Sequence, residues 1–234
     1  MSAHMKALAK RTSPKNVCLF PVSGTVLLPG CDLPLNVFEP RYLNMVDDAL
    51  KSDRLIGVVQ PLEKNTSGQE GFAGMRTIGA LGRICQFAET EDGRYMIVLR
   101  GLKRFRLMGH ADTDDANTPY AIGHVSYDEF TGDIEIHNTT QDPEAFSADK
   151  GARGALTMAM KSYANTLGVK LDWDSLKEIP LNRLVDQAAM ISPFGADDKQ
   201  SLLEARSHED RRRLLIGLMH LYSDIPQDDH PTVQ

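Results

Sequence analysis

Few spacings in this chain bring catalytic atoms together. A nucleotide-cradling loop needs GxxxxGK[ST], because backbone amides and one lysine must converge on the phosphates, and no Gly-Lys pair occurs in the 234 residues. His208-Glu209 begins as a zinc-binding helix would, but Arg212 stands one turn on, where a second imidazole is needed. Asp112, Asp114 and Asn117 are spaced like the start of a calcium loop. Ala116 occupies a ligand position there and Gly123 replaces the closing Glu, so the acidic stretch reads as a solvated turn. The histidines, His4, His110, His124, His137, His208, His220 and His230, include no pair at helical ligand spacing. Ser23 sits in Val-Ser-Gly-Thr and makes no nucleophile elbow. Cys18, Cys31 and Cys85 are odd in number and lack CxxC spacing, which argues against a disulfide framework or a structural zinc and for a reducing cytoplasm. Cys18 and Cys85 lie in apolar strand patterns and read as core thiols, made inert by burial. These residues predict no enzyme, no cofactor and no metal.

The remaining polar chemistry is that of recognition, and the elements that carry it are legible. Leu19 to Val22 is a short apolar run stopped by Ser23-Gly24, Val26 to Leu28 is a second run expected as a strand, and Pro29-Gly30 must turn the chain. Leu33, Leu35 and Val37 alternate with Pro34, Asn36 and Phe38, as a strand with one buried face does. Pro34 has no N–H, so this strand is expected to lie at a sheet edge or to begin there. Pro40 suits the first turn of a helix with Glu39 at its positive end, and Tyr42, Met45, Val46, Ala49 and Leu50 fall on one helical face. Short strands follow at Leu55 to Gln60, at Ile78 to Phe87 and Tyr95 to Leu99 around the turn Glu91-Asp92-Gly93, through Phe105 and Leu107, and at Ala121 to Tyr127. Arg104 and Arg106 alternate with Phe105 and Leu107, predicting a basic outer face. Glu63 to Gly74 reads as a loop. About six strands and one early helix imply a small antiparallel or mixed barrel.

From about Asp142 the period becomes helical. Ala152, Ala155, Leu156, Ala159, Met160, Tyr163 and Leu167 trace a face ended by Gly168, and Leu181, Leu184, Val185, Ala188 and Ala189 trace another, closed by Ser192-Pro193. Asp197 or Asp198 is the expected cap of a third helix, and Ser207 with Asp210 opens a last one on Leu214, Leu215, Leu218 and Tyr222. Arg211 to Arg213 reads as the charged face of that helix. The fold class is therefore α+β. Its expected parts are a disordered arm over 1–16, a β pseudobarrel over 17–130, a linker over 131–143, a helical subdomain over 144–225 and a disordered tail over 226–234.

Six blocks in order, FPVSGTVLLPG, LPLNVFEPRYLNMVDDAL, DRLIGVVQP, IGALGRICQF, DGRYMIVLRGLKRFRL and PYAIGHVSY, resemble the N-terminal substrate-binding domain of Lon proteases. The likeness is greatest to the free-standing bacterial form of that domain, which lacks the ATPase and peptidase parts. DWDSLKEIPLNRLVDQAAMISPFGADDKQSLLEA is similar to the helical tail of the same proteins. The resemblance implies a pseudobarrel related to RNA-binding PUA domains. It also implies non-enzymatic recognition of unfolded or exposed apolar polypeptide, with handover to a protease or chaperone.

The polypeptide-binding residues expected on this basis are Leu33, Leu35, Val37, Phe38, Glu39, Arg41 and Tyr42. The last three match the family's FEPRY pattern, and the residues leave two readings open. In one, Pro40 starts the helix, Tyr42 packs inward and Arg41 pairs with Glu39; in the other, they touch ligand directly. An RNA-binding module and a scaffold without clients are the rivals, and Arg100, Lys103, Arg104 and Arg106 favour RNA. Charge opposes it: residues 1–130 hold 15 Lys and Arg against 15 Asp and Glu, and residues 131–234 hold 11 against 17, whereas nucleic-acid binders carry a positive excess. No stretch approaches the roughly 20 apolar residues that span a bilayer, and the first residues lack the apolar core of a signal peptide.

Overall fold

The computed structural model describes residues 13–62, 71–72, 74–111, 117–133 and 150–224. The chain divides into two compact units, residues 1–137 and 138–234. The first contains β1 (Asn16–Pro21), β2 (Asp32–Val37), α1 (Pro40–Lys51), β3 (Leu55–Val59), β4 (Gly71–Phe72), β5 (Met75–Arg76), β6 (Ile78–Glu89), β7 (Tyr95–Ala111), β8 (Ile122–Ser126) and a 3-10 turn at Asp128–Phe130. The second contains α2 (Lys150–Thr166), α3 (Trp173–Lys177), α4 (Leu181–Ile191), α5 (Ala196–Glu204) and α6 (His208–Asp224).

Six strands form one mixed sheet in the order β2-β7-β6-β3-β1-β8, and β8 pairs again with β7. That second pairing closes five strands into a ring and leaves β2 outside it. The α+β fold expected from the sequence is the one observed. β1 and β3 are parallel because the crossover between them carries β2 and α1, and the other pairings are antiparallel. The ring depends on the 17-residue β7. One of its edges pairs with β6; the other pairs with β2 over Tyr95 to Arg100 and with β8 over Arg106 to Ala111. Register shifts at Leu81/Gly82, Ile84/Gln86 and Leu107/Gly109 bend the strands enough to close. Inside lie Val17, Leu19, Leu55, Val59, Leu81, Leu102, Phe105, Leu107 and Val125.

Leu28 to Cys31 makes the turn that Pro29-Gly30 predicts: Cys31 N–H donates to Leu28 C=O at 3.1 Å, and Gly30 has a φ of +77°. Val26 to Leu28 is buried as expected, but it is no strand. It crosses the sheet over Gly101, where a Cβ would lie 2.2 Å from Leu28 O, so its contacts there are side-chain packing and turn bonds instead of a ladder. The expected basic outer face of β7 is also corrected. Phe105 and Leu107 do face the core, but the chain from Tyr127 to Asp133 folds over the opposite side. Arg104 is thereby buried on Asp133 at 2.7 Å with its guanidinium 4.4 Å from the Phe130 ring, and Arg106 pairs with Glu129. Lys103 is buried as well, 4.1 Å from the Tyr127 ring.

Several boundaries shift for the same reason. Residues 131–133, expected as linker, belong to the barrel through Asp133. Pro14 and Lys15, expected in the arm, are bound by Tyr127 O–H at 2.9 Å and Val125 N–H at 2.8 Å. Asn16, also expected in the arm, begins β1, while residues 1–12 of the expected arm, 134–143 of the expected linker, the tail from 226 and most of the loop Glu63 to Gly74 lie outside the described residues. Among the cysteines the buried one is Cys31, and Cys85 is exposed at the register shift of β6. Cys18 is half-buried; its thiol donates to Leu55 C=O at 3.2 Å, and burial pushes it up to about 12.

In the second unit α2 buries Leu156, Ala159, Met160 and Tyr163 at the expected spacing, and Gly168, with a φ of +68°, ends it as Val169 N–H donates to Ala164 C=O. α4 buries Leu184, Val185, Ala188 and Ala189. Ser207 caps α6 as expected, its Oγ accepting from Asp210 N–H at 3.0 Å, but the Asp210 carboxylate accepts from the Ser207 hydroxyl at 2.7 Å. The short helix α3 has no counterpart in the sequence reading; Asp172 caps it by accepting from Asp174 and Ser175 N–H. Neither Asp197 nor Asp198 caps α5, whose N-cap is Gly195; Asp198 accepts from Tyr222 O–H at 2.6 Å instead. Arg211 is also corrected. It is buried, bonded to Asp186 at 2.8 Å and to Leu202 C=O at 2.9 Å, while Arg213 remains exposed.

Candidate functional site

Among the described residues no group of three His, Cys, Asp or Glu side chains could hold a metal ion. His208, which opened the broken zinc motif, lies 3.1 Å from Asp186, the carboxylate that also binds Arg211. That cluster ties α6 to α4. Asp112 and Asp114 lie outside the described residues. The second unit also has an apolar cavity of about 190 Å³ walled by Met160, Leu167, Leu184, Ile191 and Met219, among others.

The seven residues expected to bind polypeptide meet at the corner where β2 runs into α1, and burial divides them. Leu33, Val37 and Tyr42 point inward; Val37 is 1% exposed and Tyr42, with its ring 4.7 Å from that of Phe20, is 6% exposed. Leu35 is half-buried. Phe38 is 63% exposed, although a side chain of that size is usually covered. Glu39 caps α1 through its C=O, which accepts from Tyr42 and Leu43 N–H at 2.9 and 3.0 Å, and its carboxylate takes no part in the cap. It binds Arg41 at 2.8 Å instead, and the Arg41 guanidinium lies 4.6 Å from the Tyr42 ring.

β2 ends the sheet, pairing only with β7 among the described residues. Its hydrogen-bonding phase follows from two contacts. Val98 C=O faces β6, where it accepts from the Cys85 thiol at 3.2 Å, so Ile97 and Leu99 turn their backbone groups to β2. Their register partners are Leu35 and Leu33. Cys31 C=O accepting from Gly101 N–H at 2.9 Å keeps the same phase. Asp32, Pro34 and Asn36 therefore direct their backbone groups away from the sheet, as the placement of Pro34 at an edge requires.

Beside this edge the register puts Met96 opposite Asn36 and Val98 opposite Pro34, on the face away from Leu35. Met96 is 44% exposed and Val98 half-buried. Met96 and Val98 escaped the sequence reading; alternation within Tyr95 to Leu99 was the signal, since Ile97 and Leu99 are the buried pair. Arg100 forms a two-point ion pair with Asp32 at the far end of β2, which raises the Arg100 pKa.

The ATP-dependent protease La (LON) substrate-binding domain family matches residues 16–220. The chain belongs to that family. Lon protease 1 of Hydrogenovibrio crunogenus is 25% identical over 219 residues, covering 92% of this chain and 25% of its own length, so the chain spans about a quarter of that relative. Lon protease of Parabacteroides distasonis is 31% identical over 108 residues, which is 46% of this chain and 12% of the relative. Two crystal or domain structures share the fold. A Lon N-terminal domain protein from Xanthomonas campestris superposes with a TM-score of 0.54 at 24% identity, covering 91% of this chain and 100% of that one. The N-terminal domain of Mycobacterium avium complex Lon protease superposes with a TM-score of 0.59 at 20% identity, covering 88% and 98%. The matched Lon family is the substrate-binding part of a protease, and the match runs across both units.

Proposed function

We propose that this Lon-family chain binds exposed apolar segments of unfolded polypeptide in extended form, along β2, and neither hydrolyses nucleotide nor cuts its client. The observation that carries the reading is the outer edge of β2, which no strand among the described residues pairs with, beside the exposed Phe38. An extended segment adds there as another strand, with its side chains against Leu35 on one face and against Pro34 and Asn36 on the other. Glu39 and Arg41 flank the exit of that strand, so of the seven residues Leu35, Phe38, Glu39 and Arg41 touch client while Leu33, Val37 and Tyr42 hold the corner in place. The family's place in proteolysis supports delivery of such a client to a protease or chaperone in the cytoplasm. Among the described residues no helix is long and apolar enough to cross a membrane.

Charge supports this reading over RNA. Of the cations on β7, Arg104 and Lys103 are buried, and Arg100 and Arg106 are matched by Asp32 and Glu129. Phosphate binding would first have to break those pairs. The test is titration of the full chain with a reduced, carboxymethylated protein and with single-stranded RNA, at low and at moderate salt. Unfolded protein should bind at both, since apolar burial is weakly screened. Phe38→Ser should weaken that binding by about tenfold or more with the circular dichroism unchanged. Tight RNA binding lost with added salt, together with no affinity for unfolded protein, overturns the proposal.

A further inference from the structure

The outer edge of β2 offers the C=O groups of Asp32, Pro34 and Asn36 but only the N–H groups of Asp32 and Asn36, because proline has none. Pro34 sits at the middle of the run and its side chain is exposed, so no strand laid along this edge avoids it. We infer that Pro34 decides what can add to β2, admitting a proline-free client and disfavouring a second copy of the same edge. The inference rests on the reading of β2 as the client edge.

The difference is a matter of counting donors. An antiparallel client in phase with Asp32, Pro34 and Asn36 loses one bond, the one from the missing Pro34 N–H to its own C=O. Two β2 edges paired about a two-fold axis each bring a proline. With Pro34 opposite Pro34 the central pair has no bond at all, and with Pro34 opposite Asp32 one bond is missing on each side of the axis. Self-pairing therefore loses twice what a client loses, and each proline ring stands where its own amide hydrogen would point at a partner carbonyl. The surplus of acceptors has a second consequence. Client N–H groups that face β2 all find a carbonyl, whereas one client C=O does not, so the edge reads the client's donors more stringently than its acceptors.

The experiment uses the full chain and a short extended peptide that alternates valine or phenylalanine with threonine, together with versions N-methylated at single positions. N-methylation should abolish binding at every second residue and be tolerated between them. Pro34→Val restores a donor and should tighten the unmethylated peptide about fivefold, while raising self-association in sedimentation velocity above that of the original chain. Pro34→Ala should do the same without adding a β-branched side chain, and it replaces Pro34→Val if circular dichroism shows the latter misfolded. Alternating sensitivity with no tightening in either variant overturns the role of Pro34 and leaves the client edge standing. Unchanged self-association overturns the exclusion of a second copy. Insensitivity to N-methylation at all positions overturns strand addition, and this inference with it.

Discussion

Arg104 and Arg106 stand two residues apart on β7, yet the side chain of the first is 4% exposed and that of the second 32%. Alternation places both outside the barrel, and their sequence neighbourhoods do not distinguish them. What separates them is Asp133, 29 positions on, which accepts from both the backbone N–H and the guanidinium of Arg104. Removing one partner of a buried pair leaves the other charge desolvated, so Arg104→Gln or Asp133→Asn should each cost about 3–5 kcal/mol in urea unfolding. The double variant Arg104→Met with Asp133→Asn should recover part of that, because it leaves no buried charge and the Asn amide oxygen can still accept from the backbone N–H of residue 104. The Glu39–Arg41 pair, about half exposed, is different in kind; Arg41→Gln should change stability by less than about 1 kcal/mol. A loss of peptide affinity in that variant would then report contact with client instead of damage to the fold.

Among the elements, local signals are legible where the partner lies within a turn or two. The cap at Ser207 and the helix stop at Gly168 are of this kind, since both are satisfied by residues three to five positions away. Glu209, in the first turn of α6, binds Arg212 and Arg213 at 2.7 Å. The hydrogen bond from Arg212 is the main cause that holds its carboxyl down at about 2, against an ordinary 4.5. A folded-state pKa below the unfolded one stabilises above the unfolded value and is lost as pH falls through the folded one. The melting temperature of the wild type should therefore exceed that of Glu209→Gln above pH 4.5, and the difference should vanish as pH approaches 2. The strand β7 shows the opposite limit. Its length is legible only as several short runs, because its middle, Gly101 to Arg106, is interrupted by glycine, lysine and arginine that pair across the sheet or are buried by the chain after Tyr127.

For the molecule as a whole, the two units have separate cores, and the single tryptophan, Trp173, lies in α3 of the second. Arg211 is buried in that unit and holds Asp186 and Leu202 C=O. Arg211→Gln should therefore lower the denaturation midpoint followed by tryptophan fluorescence, and Phe105→Ala, which empties the centre of the barrel, should leave that midpoint in place. A common shift of the fluorescence midpoint in both variants would show that the units unfold as one.

The α+β class, the helix faces, the turn at Pro29-Gly30 and the edge position of β2 are legible in the residues alone, because each depends on periodicity, on a capping or turn residue, or on a proline without a donor. The Lon likeness was legible there too, since the order of short blocks survives where identity is low. Which polar groups and thiols are available to a partner is set by tertiary packing: whether Arg104 meets solvent and whether Cys85 is in the core depends on chain that returns from far along the sequence. Register adds the remaining part: it turns the backbone of Asp32, Pro34 and Asn36 outward and sets Met96 beside them, and strand pairing at long separation leaves no local mark in the residues.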